Sequence, residues 1–86
     1  MVYFREVGQT SEVVAWLGKD PRRRVAYWRN EARSPLTWAA DDSTYSTTGL
    51  AKLILIQATG TPIIAVRGPA CWEYGGKTLA DIAEAL

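Results

Sequence analysis

The stretch Tyr45–Gly60 most limits what this chain can fold into. It opens on three hydroxyl side chains, Ser46, Thr47 and Thr48, any of which can accept from the free N–H groups of a first helical turn. It closes on Thr59-Gly60, where glycine can take the left-handed cap conformation, and Pro62 forbids resumption. Leu50, Leu53, Ile54 and Gln57 follow helical spacing, and Ala51, Leu55 and Ala58 fill a second face. The short apolar run Leu53–Ile56 also fits a buried strand, but signals at both ends favour a helix. Only Lys52 and Gln57 are strongly polar, so this helix is expected either at the centre of its domain or against a partner chain.

The chain around it has 86 residues, enough for one domain with a modest core. Hydrophobic residues make up 48% and charged residues 22%, values that argue against wholesale disorder. Cys71 is the one cysteine and histidine is absent, which excludes an internal disulfide, the familiar zinc sites and every Ser-His or Cys-His nucleophile pair. Residues 1–8 carry Arg5 and Glu6 within a short apolar stretch, unlike a signal peptide, and no run approaches a membrane span. A reducing cytoplasm is the expected setting, with no cofactor and no metal.

In chain order, Val2-Tyr3-Phe4 is β-prone and fits either a short strand or a frayed terminus. Thr10 or Ser11 caps a short helix, with Glu12 in its first turn, Val13, Trp16 and Leu17 on one face, and Gly18 as its stop. A polar connection through Pro21 leads to a strand over Val25–Arg29, with Val25 and Tyr27 on one face and Ala26 and Trp28 on the other. Leu36-Thr37-Trp38 pairs with it as an antiparallel hairpin, and Asp41-Asp42-Ser43 turns the chain towards the central helix. A buried strand is expected over Ile63–Val66 and another over Trp72-Glu73-Tyr74, followed by a tight turn at Gly75-Gly76. Thr78 then caps a final helix with the stripe Leu79, Ile82, Ala83 and Leu86. The expected fold is one α+β domain over residues 1–86, with antiparallel hairpins, a buried central helix and a C-terminal helix.

Charge is uneven along the chain. Lys19, Arg22, Arg23, Arg24, Arg29 and Arg33 oppose only Asp20 and Glu31, an excess of four; with +1 overall, the remainder carries −3. Arginine's planar fork suits phosphate oxygens, and Tyr27 and Trp28 lie within the block, so nucleic acid is one reading and a solvated face the other. Of the four tryptophans, two or three are expected in the core, and an exposed one would mark a binding surface. Asp41-Asp42 reads as a turn device rather than a catalytic pair, and Cys71 as an inert buried thiol. Gly75-Gly76-Lys77-Thr78 is like the tail of a phosphate-binding loop, but Cys71 occupies the position of its required first glycine, which rejects that motif.

Four pieces of the C-terminal half, taken together, resemble the RAMA domain (restriction enzyme adenine methylase associated). They are the helix start Tyr45-Ser46-Thr47-Thr48-Gly49-Leu50-Ala51, the exit Thr59-Gly60, the middle motif Arg67-Gly68-Pro69-Ala70-Cys71-Trp72, and Gly76-Lys77-Thr78-Leu79. Order and spacing agree over residues 36–86, while the residues before Pro35 are poorly covered. Pro69 stands where the family has a first tryptophan, Arg67 where it has asparagine, and the helix start lacks the family's proline. The resemblance implies a non-catalytic module that reads DNA near restriction and modification systems, including modified bases. The missing aromatic bears on that last role more than on the fold.

The leading expectation is therefore a defence-associated module that binds double-stranded DNA, plain or modified, and is not an enzyme. Arg22, Arg23, Arg24, Arg29 and Arg33 would hold phosphates, Arg67 would approach a groove or an extruded base, and Trp72 and Tyr74, or Trp28, would stack if exposed. The alternative is a protein-interaction or inhibitor module that forms a homodimer, or binds another protein, through its apolar central helix. A small enzyme is a third reading, opposed by the lack of histidine and of a carboxylate constellation.

Overall fold

The computed structural model describes residues 1–6, 9–61 and 66–85, with side chains up to Ile82. In chain order it contains strand β1 (Val2–Phe4), helix α1 (Ser11–Gly18), a 3-10 turn (Pro21–Arg24), β2 (Val25–Trp28), β3 (Leu36–Trp38) and β4 (Thr44–Tyr45). Helix α2 (Thr47–Thr59), a second 3-10 turn (Gly68–Cys71), β5 (Trp72–Tyr74), β6 (Lys77–Thr78) and helix α3 (Leu79–Ala85) follow. This is a small α+β domain.

The strands form one antiparallel sheet in the order β4-β3-β2-β1-β5-β6. The first strand is thus central: β1 joins the N-terminal meander to the C-terminal hairpin. Val2 lies opposite Ala26, Ala26 opposite Trp38, Leu36 opposite Tyr45 and Phe4 opposite Trp72. Directly opposed residues point to the same face of a pleated sheet. Val2, Phe4, Ala26, Leu36, Trp38 and Trp72 accordingly line one face, and all are buried. Val13 and Leu17 of α1 and Leu50, Ala51 and Ile54 of α2 complete the core on that face. The opposite face leaves Tyr3 and Tyr27 about half exposed. Both outer strands are two residues long, which limits further pairing at the sheet edges.

Local chemistry accounts for the ends of the elements. The Thr10 hydroxyl accepts from Val13 N at the start of α1, and the Ser46 hydroxyl accepts from Gly49 N at 2.9 Å at the start of α2. Gly60 closes α2 in the left-handed region at φ 71°. Gly18 ends α1 without that conformation: the cap residue is Lys19, in right-handed geometry, and Pro21 follows. The connection expected at Pro21 is a 3-10 turn in which Asp20 accepts from Arg22 N. Gly75 and Gly76, at φ 61° and 85°, make the turn between β5 and β6 that any side chain would strain. Thr78 accepts from Asp81 N at 3.1 Å and caps α3. Of the strand expected over Ile63–Val66, all but Val66 lies outside the described residues, as do the side chains of Ala83 and Leu86.

Helix α2 buries one side of its cylinder and leaves Gly49, Ile56 and Gln57 exposed on the other. Its near-continuous apolar character is absorbed by the sheet, by α1 and by the turn Gly68–Cys71. Gly68 is buried against the first turn of α2, where a Cβ would collide with the Thr48 backbone nitrogen. Across the same junction, the Trp72 indole N–H donates to the Thr47 carbonyl at 3.1 Å.

Candidate nucleic-acid interface

The arginine block does not form one patch. Arg22, Arg23 and Arg24 precede β2 and Arg29 and Arg33 follow it, so the four residues of that strand separate the groups by about 13 Å. The first group is engaged within the molecule. Arg22 grips Asp20 at 2.9 Å, and the side-chain hydrogen bond from Arg22 holds the Asp20 carboxyl below its usual range. Arg24 pairs with Glu6 at 2.9 Å. The Arg23 guanidinium lies 4.2 Å over the Trp16 ring and donates to the Trp16 carbonyl, and its own carbonyl accepts from the Trp38 indole. Arg23 is a structural residue first.

In the second group, Arg29 pairs with Glu31 at 3.0 Å and Arg33 is exposed. Arg67, just before Gly68, is exposed as well. No carboxylate partner for Arg33 or Arg67 occurs among the described residues.

The tryptophans divide three to one. Trp72 is fully buried and meets Phe4 edge-on at 5.3 Å, so it cannot stack on a ligand and leaves the set of binding residues. A residue that supplies both a core ring and a tether for the Thr47 carbonyl has no free face. Trp38 is also buried and stacks on half-buried Trp16 at 6.4 Å. Trp28 is 54% exposed and Tyr74 57%. Both sit on the core face of the sheet, Trp28 opposite Leu36 at the end of β2 and Tyr74 two residues beyond Trp72 at the end of β5.

Antiparallel pairing gathers specific groups at that end. The start of β1, the ends of β2 and β5 and the start of β6 meet there, bringing Val2, Trp28 and Tyr74 together. With Met1, Tyr27 and, from α3, Leu79 and Ile82, they line an open cleft of about 600 Å³. Such a volume is of the size that small molecules or single side groups occupy. Its lining carries no charged side chain. Two cations adjoin its lining residues, Lys77 opposite Tyr74 and Arg29 directly after Trp28, and Arg33 lies further along the same loop. Lys77 was not among the residues expected from sequence. The tight Gly75-Gly76 turn, which fixes the register of Tyr74 against Lys77, is the signal that could have placed it.

The remaining candidates stay structural. Asp41 accepts from Ser43 N at 3.0 Å and from the Tyr45 hydroxyl, and Asp42 takes a left-handed φ of 59°, so this pair is a turn device. Cys71 is a free thiol whose partial burial raises its pKa. Among the described residues no group of three His, Cys, Asp or Glu could hold a metal ion, and no helix is long and apolar enough to cross a membrane. Comparison with protein-family models, curated proteins and solved structures found no match.

Proposed function

We propose that this domain is a non-catalytic DNA-binding module which meets its ligand at the strand-end cleft rather than at the Arg22–Arg24 turn. The observation that carries this reading is the meeting of two half-exposed aromatic rings, Trp28 and Tyr74, at one cleft, with Lys77 paired opposite Tyr74 and Arg29 next to Trp28 in the chain. Aromatic faces beside cations are what nucleic-acid surfaces use, since the rings stack on bases while the cations neutralise phosphates. The RAMA-like order of the four C-terminal motifs supports a role beside restriction and modification enzymes, in a reducing cytoplasm where Cys71 stays a thiol.

Fluorescence anisotropy against labelled DNA, plain and adenine-methylated, at several salt concentrations tests the proposal. Steeply salt-dependent binding is expected. Replacing Arg29, Arg33 and Lys77 together by Ala should weaken it and flatten its log–log salt slope, whereas changing Arg22 and Arg24 should do neither. No binding of any DNA form at low salt would overturn the reading.

A protein partner is the second reading, favoured by the uncharged lining of the cleft. The cleft is the better interface under that reading, because Ile56 is the one large apolar residue of α2 that stands exposed. A mass that rises with concentration in sedimentation, and falls back in Trp28→Ala, would support it.

A further inference from the structure

We infer that the cleft takes unpaired bases of a single nucleic-acid strand, stacked on Trp28 and Tyr74, and not the grooves of an intact duplex. This rests on the DNA-binding reading above and narrows it. The first argument is about helices. Major-groove readers present a helix whose cations and amides reach base edges and phosphates. Across α1, α2 and α3 the sequence places one cation, Lys52, against Glu12, Asp81 and Glu84. None of these three helices suits a groove between two phosphate strands.

The second argument is about surfaces. The cleft offers ring faces and aliphatic walls, with Val2 between the aromatics and Leu79 and Ile82 to the side. In a duplex the faces of the bases are covered by their stacked neighbours, and only edges and phosphates are presented. A surface of ring faces can therefore engage bases only where the strand is unpaired. Trp28 on β2 and Tyr74 on β5 are separated by β1, about 10 Å across the sheet, so each ring can hold its own base.

The third argument is about charge. Lys77, opposite Tyr74, has no carboxylate partner among the described residues, and Arg29, next to Trp28 in the chain, is held by Glu31. A few cations beside stacking rings match the charge along one strand better than that of two.

The test compares a labelled oligothymidylate with a mixed-sequence duplex of the same length, followed by anisotropy and by tryptophan fluorescence. Oligothymidylate should bind at least tenfold more tightly and quench the fluorescence, because Trp28 is the exposed indole. Trp28→Ala and Tyr74→Ala should each weaken oligothymidylate binding about tenfold, the usual cost of one lost base stack. Tyr3→Ala, on the opposite face, should leave it unchanged, and urea midpoints near that of the parent would show that the variants fold. Equal or tighter binding of the duplex would overturn the inference while leaving the DNA-binding reading in place. Oligothymidylate affinity retained in the Trp28→Ala/Tyr74→Ala double variant would remove the cleft from the interface. Absence of binding to either probe would overturn both.

Discussion

Trp38 donates its indole N–H to the backbone carbonyl of Arg23 at 2.7 Å, and the Arg23 side chain folds over Trp16, which stacks on Trp38 in turn. The three residues close a loop of contacts between α1, the 3-10 turn and β3. An arginine that looks from sequence like part of a phosphate clamp is a fastener between a helix and a sheet.

Arg23→Ala should consequently lower stability by about 1–2 kcal/mol, through loss of the cation–π contact and of its hydrogen bond to the Trp16 carbonyl. Arg22→Ala and Arg24→Ala break solvent-screened exposed pairs and should each leave the urea midpoint close to that of the parent. Urea midpoints of the three variants check the contrast.

Trp72→Phe keeps a ring against Phe4 but deletes the donor to the Thr47 carbonyl and leaves a void beside α2. A loss of about 2–4 kcal/mol is expected, a large share of the total for a domain of this size. Chemical denaturation followed by far-ultraviolet circular dichroism reads it. A loss below about 1 kcal/mol would show that the Trp72 site repacks freely.

Two glycines should respond in opposite directions. Gly68→Ala forces a methyl onto the Thr48 backbone and should cost about 2–3 kcal/mol. Gly18→Ala meets nothing within 4 Å and sits in the last turn of α1, so it should stabilise by about 0.5–1 kcal/mol. Thermal melts of the two variants distinguish them directly.

The hydrogen bond from the Tyr45 hydroxyl to Asp41 raises the Tyr45 pKa above its ordinary value near 10. A phenol with a raised folded-state pKa stabilises the fold fully below the unfolded pKa and loses that contribution as pH rises through the folded one. The stability difference between the parent protein and Tyr45→Phe should be constant at neutral pH and shrink above about pH 10. Parallel urea titrations at neutral and alkaline pH check this, and a difference independent of pH would show that the bond contributes nothing.

The sequence determined the elements that depend on neighbouring residues alone. Ser46 and Gly60 bound α2, Thr10 and Thr78 cap α1 and α3, and Gly75-Gly76 makes the turn after β5, because caps and positive φ angles are satisfied within a few residues. Alternation likewise placed Ala26 and Trp28 on one face of β2. Only the tertiary structure decided which of those faces is covered. The same face buries Ala26 and leaves Trp28 half exposed, although Leu36, directly opposite Trp28, is buried. It also decided that Trp72 is core while Tyr74, on the same strand and face, is surface. Most consequentially, it split the arginine block across the length of β2 and gave Arg22, Arg23 and Arg24 partners in Asp20, Trp16 and Glu6. Glu6 and Trp16 become neighbours of that turn only once the chain has folded back on itself. Proximity in sequence counts charges, but it is proximity in space that pairs them.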